Sequence, residues 1–88
     1  MAWQIEFTPE AEKQLSKIDG QAAKRIIHFL GERIAPAEDP RTAGKALKGV
    51  LRKFWRYRVG DYRIICKMED DRLLIVVIRV AHRSDAYR

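Results

Sequence analysis

The stretch from Phe54 to Met68 constrains the fold of this chain more than any other. Its sequence, F-W-R-Y-R-V-G-D-Y-R-I-I-C-K-M, sets aromatic and β-branched residues on both sides of a Gly60-Asp61 pair. This pattern predicts a β-hairpin with a two-residue turn. Counting outward from the turn gives the predicted cross-strand pairs: Val59 with Tyr62, Arg58 with Arg63, Tyr57 with Ile64, Arg56 with Ile65, and Trp55 with Cys66.

The predicted register separates an apolar face from a basic face, because successive strand residues point to opposite sides of a sheet. The basic face carries Arg56, Arg58 and Arg63, with Lys67 further along. Arg58 and Arg63 would lie directly opposite each other, and like charges in that position are destabilising. The apolar face carries residues suited to a core, which are Trp55, Tyr57, Val59, Tyr62, Ile64 and Cys66.

An anion bound between the opposed arginines would offset their repulsion, since the planar guanidinium fork matches phosphate oxygens. The alternative is an ordinary solvated face on which the arginines pair with nearby acids. Asp61 is the only acid between Phe54 and Met68, so this alternative has few local partners. The hairpin therefore favours an anion site.

The charge of the whole chain points in the same direction. Its 88 residues are expected to form one domain, residues 1–88, with one modest core and a net charge of +6. Residues 1–44 hold six Lys and Arg against seven Asp and Glu, whereas residues 45–88 hold twelve against five. Such a basic half is typical of proteins that bind a polyanion, with nucleic acid as the first candidate and an acidic protein as the other.

Several other kinds of site are disfavoured. The single cysteine, Cys66, cannot form an internal disulfide and lies on the apolar strand face, which predicts a buried thiol rather than a nucleophile. No cluster of Cys and His has the spacing of zinc ligands, so no metal and no cofactor are predicted. The N-terminus opens no signal peptide and no apolar run approaches a membrane span, which predicts a cytoplasmic protein without a membrane partner.

The segment before the hairpin predicts one strand and two helices. Trp3 to Phe7 alternates as a short strand. Thr8-Pro9-Glu10 is a typical helix start, with Thr8 as the cap, and this helix is expected to end near Ile18. A second helix is predicted from about Gln21 to Ile34, with an inward stripe of Ala23, Ile26, Ile27, Leu30 and Ile34.

The remaining segments complete an α+β fold. Ala35 to Gly44 predicts a loop, and Lys45 to Gly49 a short strand or turn. Arg72 to Val80, with the apolar run from Leu73 to Ile78, predicts a strand buried on both faces for most of its length. The predicted order is an N-terminal strand, an antiparallel helix pair and a three-stranded antiparallel meander, in one sheet with the helices on one face. The first strand is expected to return to the sheet edge beside the last strand.

Three stretches carry a resemblance to a known family: D-P-R-T-A-G-K-A-L-K-G, W-R-Y-R-V-G-D-Y-R-I-I and V-A-H-R-S-D-A-Y-R. Together they resemble the RelE branch of the RelE/ParE toxin superfamily, and the similarity extends from the first strand to the last residue. The resemblance implies a RelE-like fold and the toxin of a type II toxin–antitoxin system. It also implies that messenger RNA is cleaved in the ribosomal A site, without a metal, by attack of the 2′-hydroxyl on the adjacent phosphate. Translation would thereby be inhibited.

The partners implied by the resemblance are messenger RNA, the ribosome and a cognate RelB-like antitoxin, through which the complex could bind its own operator DNA. The implied active site contains four arginines of this chain. Arg56 and Arg58 match two basic strand residues that are often lysines in the family. Arg63 matches the phosphate-contacting arginine of the Y-R pair, and Arg83 matches a basic residue after the last strand.

The chemistry of this cleavage needs a proton acceptor, a proton donor to the leaving 5′-oxygen, and cations that stabilise the phosphorane. The arginines can supply the cations but are poor general bases. His82 matches a histidine found in many members, and histidine is the side-chain type best suited to proton transfer near neutral pH. Tyr87 matches the tyrosine near the C-terminus and could stack on a base or bond to the sugar or phosphate. Further contacts with RNA are expected from Lys45, Lys48, Arg52 and Lys53.

Two alternatives stay open. The first is the ParE branch, which has the same fold and acts as a DNA gyrase poison without chemistry of its own. The H-R-S-D-A-Y ending argues against it, since that branch generally lacks this His and Tyr. The second is a catalytically inactive module whose basic face holds an acidic segment of the antitoxin.

Overall fold

The computed structural model describes residues 2–47 and 54–84. Within these ranges the chain forms β1 (Gln4–Phe7), α1 (Pro9–Lys17), α2 (Gly20–Phe29), β2 (Lys45–Ala46), β3 (Phe54–Val59), β4 (Tyr62–Glu69) and β5 (Leu74–His82). A π-helical turn, Leu30–Ile34, follows α2, and short 3-10 turns occupy Pro40–Thr42 and Asp70–Arg72. The strands form one sheet in the order β1-β5-β4-β3-β2. The predicted α+β class is confirmed.

The β3–β4 hairpin has the predicted register. Each of the cross-strand pairs counted from the Gly60-Asp61 turn is present, from Val59 with Tyr62 to Trp55 with Cys66. Gly60 adopts a φ of +59°, which glycine reaches without the steric cost that a Cβ atom imposes. The turn thus sets the register of the central part of the sheet.

The first and last strands of the chain lie side by side, as expected from the need to return β1 to the sheet. β1 and β5 pair in parallel, with Ile5 opposite Ile75 and Phe7 opposite Val77. β5 also pairs with β4 in the antiparallel sense. The last strand of the described chain therefore lies inside the sheet, between the first strand and the hairpin.

Both helices begin where the sequence predicts. The Thr8 side chain accepts a hydrogen bond of 3.1 Å from the Ala11 N–H, and Pro9 occupies the first turn of α1. Asp19 caps α2 by accepting a 3.2 Å bond from the Ala22 N–H. Each cap satisfies one of the backbone donors that a helix N-terminus leaves unpaired.

The second helix differs from its prediction at one residue and at its end. The α-helix stops at Phe29, and the π-helical turn closes with a bond of 2.8 Å from the Ala35 N–H to the Leu30 carbonyl. Leu30 and Ile34, the first and last residues of this turn, are both buried as predicted. Ile27, predicted to face inward, is 53% exposed, because it lies about 100° around the helix from buried Ile26.

The core lies between the helices and one face of the sheet. The register places the buried Tyr57, Ile64 and Val80 in one cross-strand row on this face. Residues of both helices complete the same cluster, among them Ala11, Ile26 and Leu30. The apolar hairpin face is buried or half-buried, as predicted. On β5, Leu74, Ile75, Val77 and Val80 are buried and the other residues are half-buried or exposed, so the predicted burial on both faces for most of the strand is confirmed only in part.

A β-bulge changes which residues of β5 reach each face. Ile65 is opposite Arg79 and Cys66 is opposite Val77, so Ile78 is an extra residue in β5. A bulge of this kind shifts the alternation of side chains by one residue. As a result, Val77 and Val80 share the core face, and Arg79 is placed on the opposite face.

The loop before β2 is tied to β3 by aromatic side chains. The Tyr57 hydroxyl donates a 2.6 Å bond to the Pro40 carbonyl, and the Trp55 indole N–H donates a 2.7 Å bond to the Ala43 carbonyl. Gly44 has a φ of +79°, and a Cβ atom there would clash with the Arg56 carbonyl oxygen. Only a glycine lets the loop approach β3 this closely.

The same loop is tied to the turn between β4 and β5. Arg41 donates bonds of 2.6 and 3.0 Å to the two carboxylate oxygens of Asp70. This guanidinium holds the pKa of the Asp70 carboxyl below its ordinary value. None of the helices among the described residues is long and apolar enough to cross a membrane.

Candidate functional site

The face of the sheet opposite the helices carries a group of basic residues, here called the arginine face and defined by Lys45, Arg56, Arg58, Arg63 and Arg79. One cross-strand row runs from Lys45 through Arg56 and Ile65 to Arg79. The neighbouring row runs from Arg58 through Arg63 to Ala81. The sheet therefore brings together four of the residues that the sequence predicts for the site, and it adds Arg79.

Arg58 and Arg63 are directly opposite each other, as the register predicts. The Nε and Nη1 atoms of Arg63 are buried and have no hydrogen-bond partner among the described residues. Within the part of the chain that the structure describes, the Arg58 side chain makes one long hydrogen bond, of 3.5 Å, from its Nε to the Gly60 carbonyl. Buried guanidinium donors without partners are costly in a folded protein, since each forfeits its bonds to water.

The arrangement of charges suits an anion at this position. Described ion pairs join Arg41 with Asp70 and Arg72 with Glu69, and neither involves Arg58 or Arg63. Planar guanidinium groups bind phosphate oxygens in a bidentate fashion. The two opposed arginines can therefore hold a phosphate and neutralise charge that develops on it.

Arg83 follows β5 and extends the arginine face at its hairpin end. Its backbone N–H donates a 2.7 Å bond to the carbonyl of Asp61, in the hairpin turn. Arg83 comes two residues after Ala81, which is opposite Arg63. The alternation of side chains therefore places it on the same side of the sheet as the arginine face.

His82 lies at the end of β5, but its position differs from that of the arginines. It is opposite Tyr62, and the two rings meet edge to face with their centroids 5.6 Å apart. This pair belongs to the helix-bearing face, whereas Arg63 and Ala81 belong to the other. The His82 side chain is exposed at the rim of the sheet, next in sequence to Arg83.

The contacts of His82 fix which nitrogen faces outward. The backbone N–H of Ser84 donates a 3.3 Å bond to His82 Nδ1, and the Ser84 hydroxyl lies 3.0 Å from the same atom. A backbone N–H can only donate, so the neutral imidazole accepts at Nδ1 and carries its proton on Nε2. When the ring is protonated, the Ser84 hydroxyl can accept from Nδ1. In both states Nε2 is a hydrogen-bond donor.

Not every predicted site residue falls in the described ranges. Lys48, Arg52, Lys53 and Tyr87 lie outside them, so their roles stay predictions. Lys45 is described, and it is exposed on β2 opposite Arg56. It is the one predicted RNA-binding lysine whose position next to the arginines can be seen.

Arg79 is the residue of the arginine face that the sequence did not reveal. It follows an apolar run that predicts a buried strand, and simple alternation from Ile75 and Val77 would assign it to the core face. The bulge at Ile78 moves it to the other face. One signal in the sequence could have revealed it. Arg79 and Arg83 are separated by an even number of positions, with Val80 and His82 on the alternate positions, so the two arginines share one face of the strand.

Two other reactive side chains are held in unreactive states by burial. Burial raises the pKa of the Cys66 thiol to about 12, so a thiolate nucleophile is absent near neutral pH and the predicted structural role is confirmed. Burial likewise raises the pKa of Tyr57, whose hydroxyl is already bonded to Pro40. Among the described residues, no group of three or more His, Cys, Asp or Glu side chains could hold a metal ion.

Comparison with known proteins identifies the family to which this chain is related. A family model described as the ParE toxin of the type II toxin–antitoxin system parDE matches residues 5–87. Toxin RelG of Mycobacterium tuberculosis is 28% identical over 88 residues, covering 100% of this chain and 99% of that protein. Toxin RelE of the same organism is 26% identical over 86 residues, covering 98% of this chain and 87% of that protein.

A solved structure has the same fold over nearly the whole chain. It is the toxin–antitoxin complex RelBE2 from Mycobacterium tuberculosis, and the superposition has a TM-score of 0.85. The sequence identity is 26%, with 97% of this chain and 95% of the other covered. The similarity therefore includes both the part of the chain that bears the arginine face and the part that forms the helices.

Proposed function

The chain belongs to the ParE toxin family of type II toxin–antitoxin systems, and we propose that it acts as a toxin by cleaving messenger RNA. The proposed reaction is a metal-independent endoribonucleolytic cleavage in the ribosomal A site, which would inhibit translation. The 2′-hydroxyl attacks the adjacent phosphate, and the 5′-oxygen of the next nucleotide leaves. The relatives named RelG and RelE support this branch of the superfamily over others.

The observation that carries the proposal is the state of Arg63. Its Nε and Nη1 atoms are buried without a hydrogen-bond partner in residues 2–47 and 54–84, and Arg58 lies directly opposite. A scissile phosphate placed between them would accept from the unpaired donors and relieve the repulsion. The charge on the phosphorane grows in the transition state, so preformed cations at this place stabilise the transition state more than the substrate.

His82 is proposed to donate a proton to the leaving 5′-oxygen. Ser84 engages Nδ1, which leaves Nε2–H as the group free to meet RNA. The proton donor is the protonated ring: the Ser84 hydroxyl accepts from Nδ1, Nε2 transfers its proton to the 5′-oxygen, and the neutral imidazole remains. Its place at the rim, beside Arg83, suits a contact with the leaving group rather than with the non-bridging oxygens.

The acceptor of the 2′-hydroxyl proton is then a different group. Arg56 and Arg58 are unsuited to this role because guanidinium groups stay protonated. Tyr87 is a candidate through the family resemblance alone, and a group of the ribosome is the other. Arg56, Arg79 and Lys45 are proposed to bind the phosphates that flank the scissile one.

An antitoxin is the proposed protein partner, and it would neutralise the basic half of the chain. The RelBE2 structure is described as a toxin–antitoxin complex, and twelve basic residues against five acidic ones in residues 45–88 provide the complementary charge. Binding of operator DNA is expected only through the antitoxin.

The proposal is tested by adding the purified protein to a translation reaction and mapping message ends by primer extension. Cleavage at codons in the A site, seen with programmed ribosomes and absent from the same RNA without ribosomes, is the expected result. Intact messages under conditions that arrest growth would contradict the proposal.

The second candidate function is poisoning of DNA gyrase, because the description of the family model names ParE. The two readings differ in which process stops first after induction of the toxin. Incorporation of labelled amino acids should fall before incorporation of labelled thymidine if messenger RNA is the target. The reverse order, with DNA breaks that need gyrase, would favour the second candidate.

A further inference from the structure

The end of β5 extends beyond β1. β1 pairs with residues 74–77 of β5, and a 3.0 Å bond from the Thr8 N–H to the Val77 carbonyl follows that pairing. Pro9 then begins α1, so the chain leaves the sheet at this point. Residues 78–82 of β5 therefore have β4 on one side and, among the described residues, no strand on the other.

The backbone of Val80 faces this open side of β5. The two-residue turn makes Val59 and Tyr62 a hydrogen-bonded pair, and bonded and non-bonded pairs alternate along an antiparallel ladder. The backbone of Arg63 therefore faces β5, where its partner is Ala81. Val80 precedes Ala81 and so directs its N–H and C=O away from β4. Val80 is buried, and a buried N–H without a partner costs free energy.

Gln14 in α1 supplies the missing acceptor. Its side-chain Oε1 accepts a bond of 2.7 Å from the Val80 N–H, which joins residues 66 positions apart. Gln14 comes three residues after buried Ala11, so both lie on the helix face that packs against β5. The half-buried amide of Gln14 thus takes the place of one bond of a strand ladder.

The part of β5 held by this bond leads to residues of the proposed site. Val80 comes two residues after Ile78, the extra residue of the bulge, which has no partner on β4. His82 comes two residues after Val80, on the same face and about 7 Å further along the strand. The bond from Val80 to Gln14 therefore anchors β5 between the bulge and His82.

We propose that Gln14 is a positioning residue of the ribonuclease reaction, an inference that rests on the function proposed above. Its amide oxygen holds Val80 and thereby the end of β5, so that Nε2 of His82 reaches the leaving 5′-oxygen. Gln14 acts through the backbone of Val80 rather than on the RNA. Arg58 and Arg63 are held by the β3–β4 hairpin, so the loss of Gln14 should slow the chemical step more than it weakens binding.

The first test is single-turnover cleavage on programmed ribosomes. Gln14→Leu removes the acceptor at similar size and should slow cleavage by at least about tenfold, because displacing a reacting group by about 1 Å can cost up to about 10²-fold. Affinity for message should stay nearly unchanged. Gln14→Glu keeps an oxygen at the same reach and should restore most of the rate. Gln21→Leu, the same change at an exposed position of α2, should cleave like the wild type.

A double-mutant cycle separates positioning from a merely structural contact. If Gln14 acts through His82, Gln14→Leu should cost little in a His82→Ala background, because the group that it positions is already absent. A structural contact would give equal losses in both backgrounds. Equal losses, or a Gln14→Leu rate equal to that of the wild type, would overturn the positioning role. Thermal melts verify that each variant folds.

Hydrogen exchange tests the anchor without reference to activity. The Val80 amide should exchange at least about tenfold faster in Gln14→Leu than in the wild type. The amide of Ile64, which is opposite Val80 and faces β3, should keep its protection. Unchanged protection of Val80 would overturn the proposal. A wild type that cleaves no message would refute the proposed function and this role with it, whereas equal cleavage by wild type and Gln14→Leu would refute this role alone.

Discussion

Arg58 and Arg63 lie directly opposite each other across the β3–β4 hairpin, on the face of the sheet opposite both helices. Two like charges in such a pair destabilise the free protein, and burial of unpaired nitrogens on Arg63 adds to the cost. A fold that keeps this pair is less stable than it could be. The same pair lowers the cost of binding a phosphate, because Nε and Nη1 of Arg63 give up no hydrogen bond to any described residue.

Replacing either arginine should separate activity from stability. Arg58→Ala and Arg63→Ala are each expected to reduce message cleavage by at least about 10²-fold, the loss typical of removing one donor that stabilises a transition-state oxyanion. Their melting temperatures should stay the same or rise, because the repulsion is removed. Single-turnover cleavage on programmed ribosomes and thermal melts by circular dichroism provide the two measurements.

Arg72→Ala is the matched control for these variants. Arg72 is exposed in the turn after β4, at the opposite end of that strand from Arg63, and pairs with Glu69. It should retain full cleavage activity. If Arg58→Ala and Arg63→Ala lose toxicity only because they no longer fold, the assignment of the arginine face would be refuted.

Arg79 is expected to contribute to RNA binding more than to cleavage. It is placed two strands from Arg56 in the same cross-strand row, where it can neutralise one phosphate next to the scissile one. Arg79→Ala should weaken binding of a non-cleavable 2′-deoxy message analogue uniformly across sequences. The slope of log affinity against log salt should fall by about one. An unchanged salt slope would exclude a phosphate contact by Arg79.

His82→Ala should reduce the chemical step without reducing binding. A proton-transfer residue acts mainly in the transition state, and its loss typically costs about 10²–10⁴-fold in rate. Affinity for message on the ribosome should stay near that of the wild type, since phosphate neutralisation dominates it. Single-turnover rates measured across pH would show a changed profile in the variant. A rate and profile equal to those of the wild type would remove His82 from the mechanism.

The role of Ser84 gives a second test of the same assignment. Ser84→Ala removes the hydroxyl near His82 Nδ1 but keeps the backbone N–H that bonds to it. The protonated ring then loses its acceptor while the neutral ring keeps its donor. We expect cleavage to slow and Ser84→Thr to restore it. A merely structural role of Ser84 would instead change the melting temperature and leave the pH profile of cleavage as it was.

Gly44→Ala should be strongly destabilising. Its φ of +79° is unfavourable for an alanine, and the added Cβ would also lie 2.8 Å from the Trp55 Nε1 atom. The expected loss in the free energy of unfolding is about 2 kcal/mol. Gly31→Ala is the control, because nothing lies within 4 Å of its Cβ position, and that variant should unfold at a similar or higher denaturant concentration. Equal stability of both variants would contradict the close packing of the loop on β3.

Cys66 makes stability depend on pH in the alkaline range. Its thiol has a pKa of about 12 in the fold against an ordinary value of 9.0, so the folded protein binds this proton more tightly than the unfolded chain does. The resulting stabilisation is complete below pH 9 and is lost as the pH rises towards 12. Urea unfolding at several alkaline pH values should show a steep decline for the wild type and a shallower one for Cys66→Ala. Alkylation of the native thiol at pH 8.5 should proceed only as fast as the protein unfolds.

The sequence determined the hairpin well because a two-residue turn leaves no freedom in the pairing of its strands. Once Gly60-Asp61 was identified, Arg58 and Arg63 could be paired by counting, and the apolar face followed. The cap of α1 could also be predicted, since Thr8 satisfies a donor within the first turn of its own helix. These features depend on contacts between residues close together in the chain.

The features that the sequence did not disclose depend on distant contacts. No residue near Ile78 in the sequence predicts a bulge, because Ile78 is apolar like the residues before it. Arg79 was therefore not included in the predicted site. No residue near Phe29 in the sequence predicts the change to a π-helical turn, which is closed by the bond from the Ala35 N–H to the Leu30 carbonyl. The face occupied by His82 could not be predicted for the same reason, since it follows from the bulge four residues earlier.

The position of β5 has a consequence for the making of the protein. This strand separates β1 from the hairpin, yet it is the last of the described strands to be synthesised. Until β5 emerges, β1 has no strand to pair with and α1 has no sheet to pack on. Arg63 also lacks Ala81, its cross-strand neighbour. Nascent chains are therefore expected to remain open, with an incomplete arginine face, until Leu74–His82 has left the ribosome.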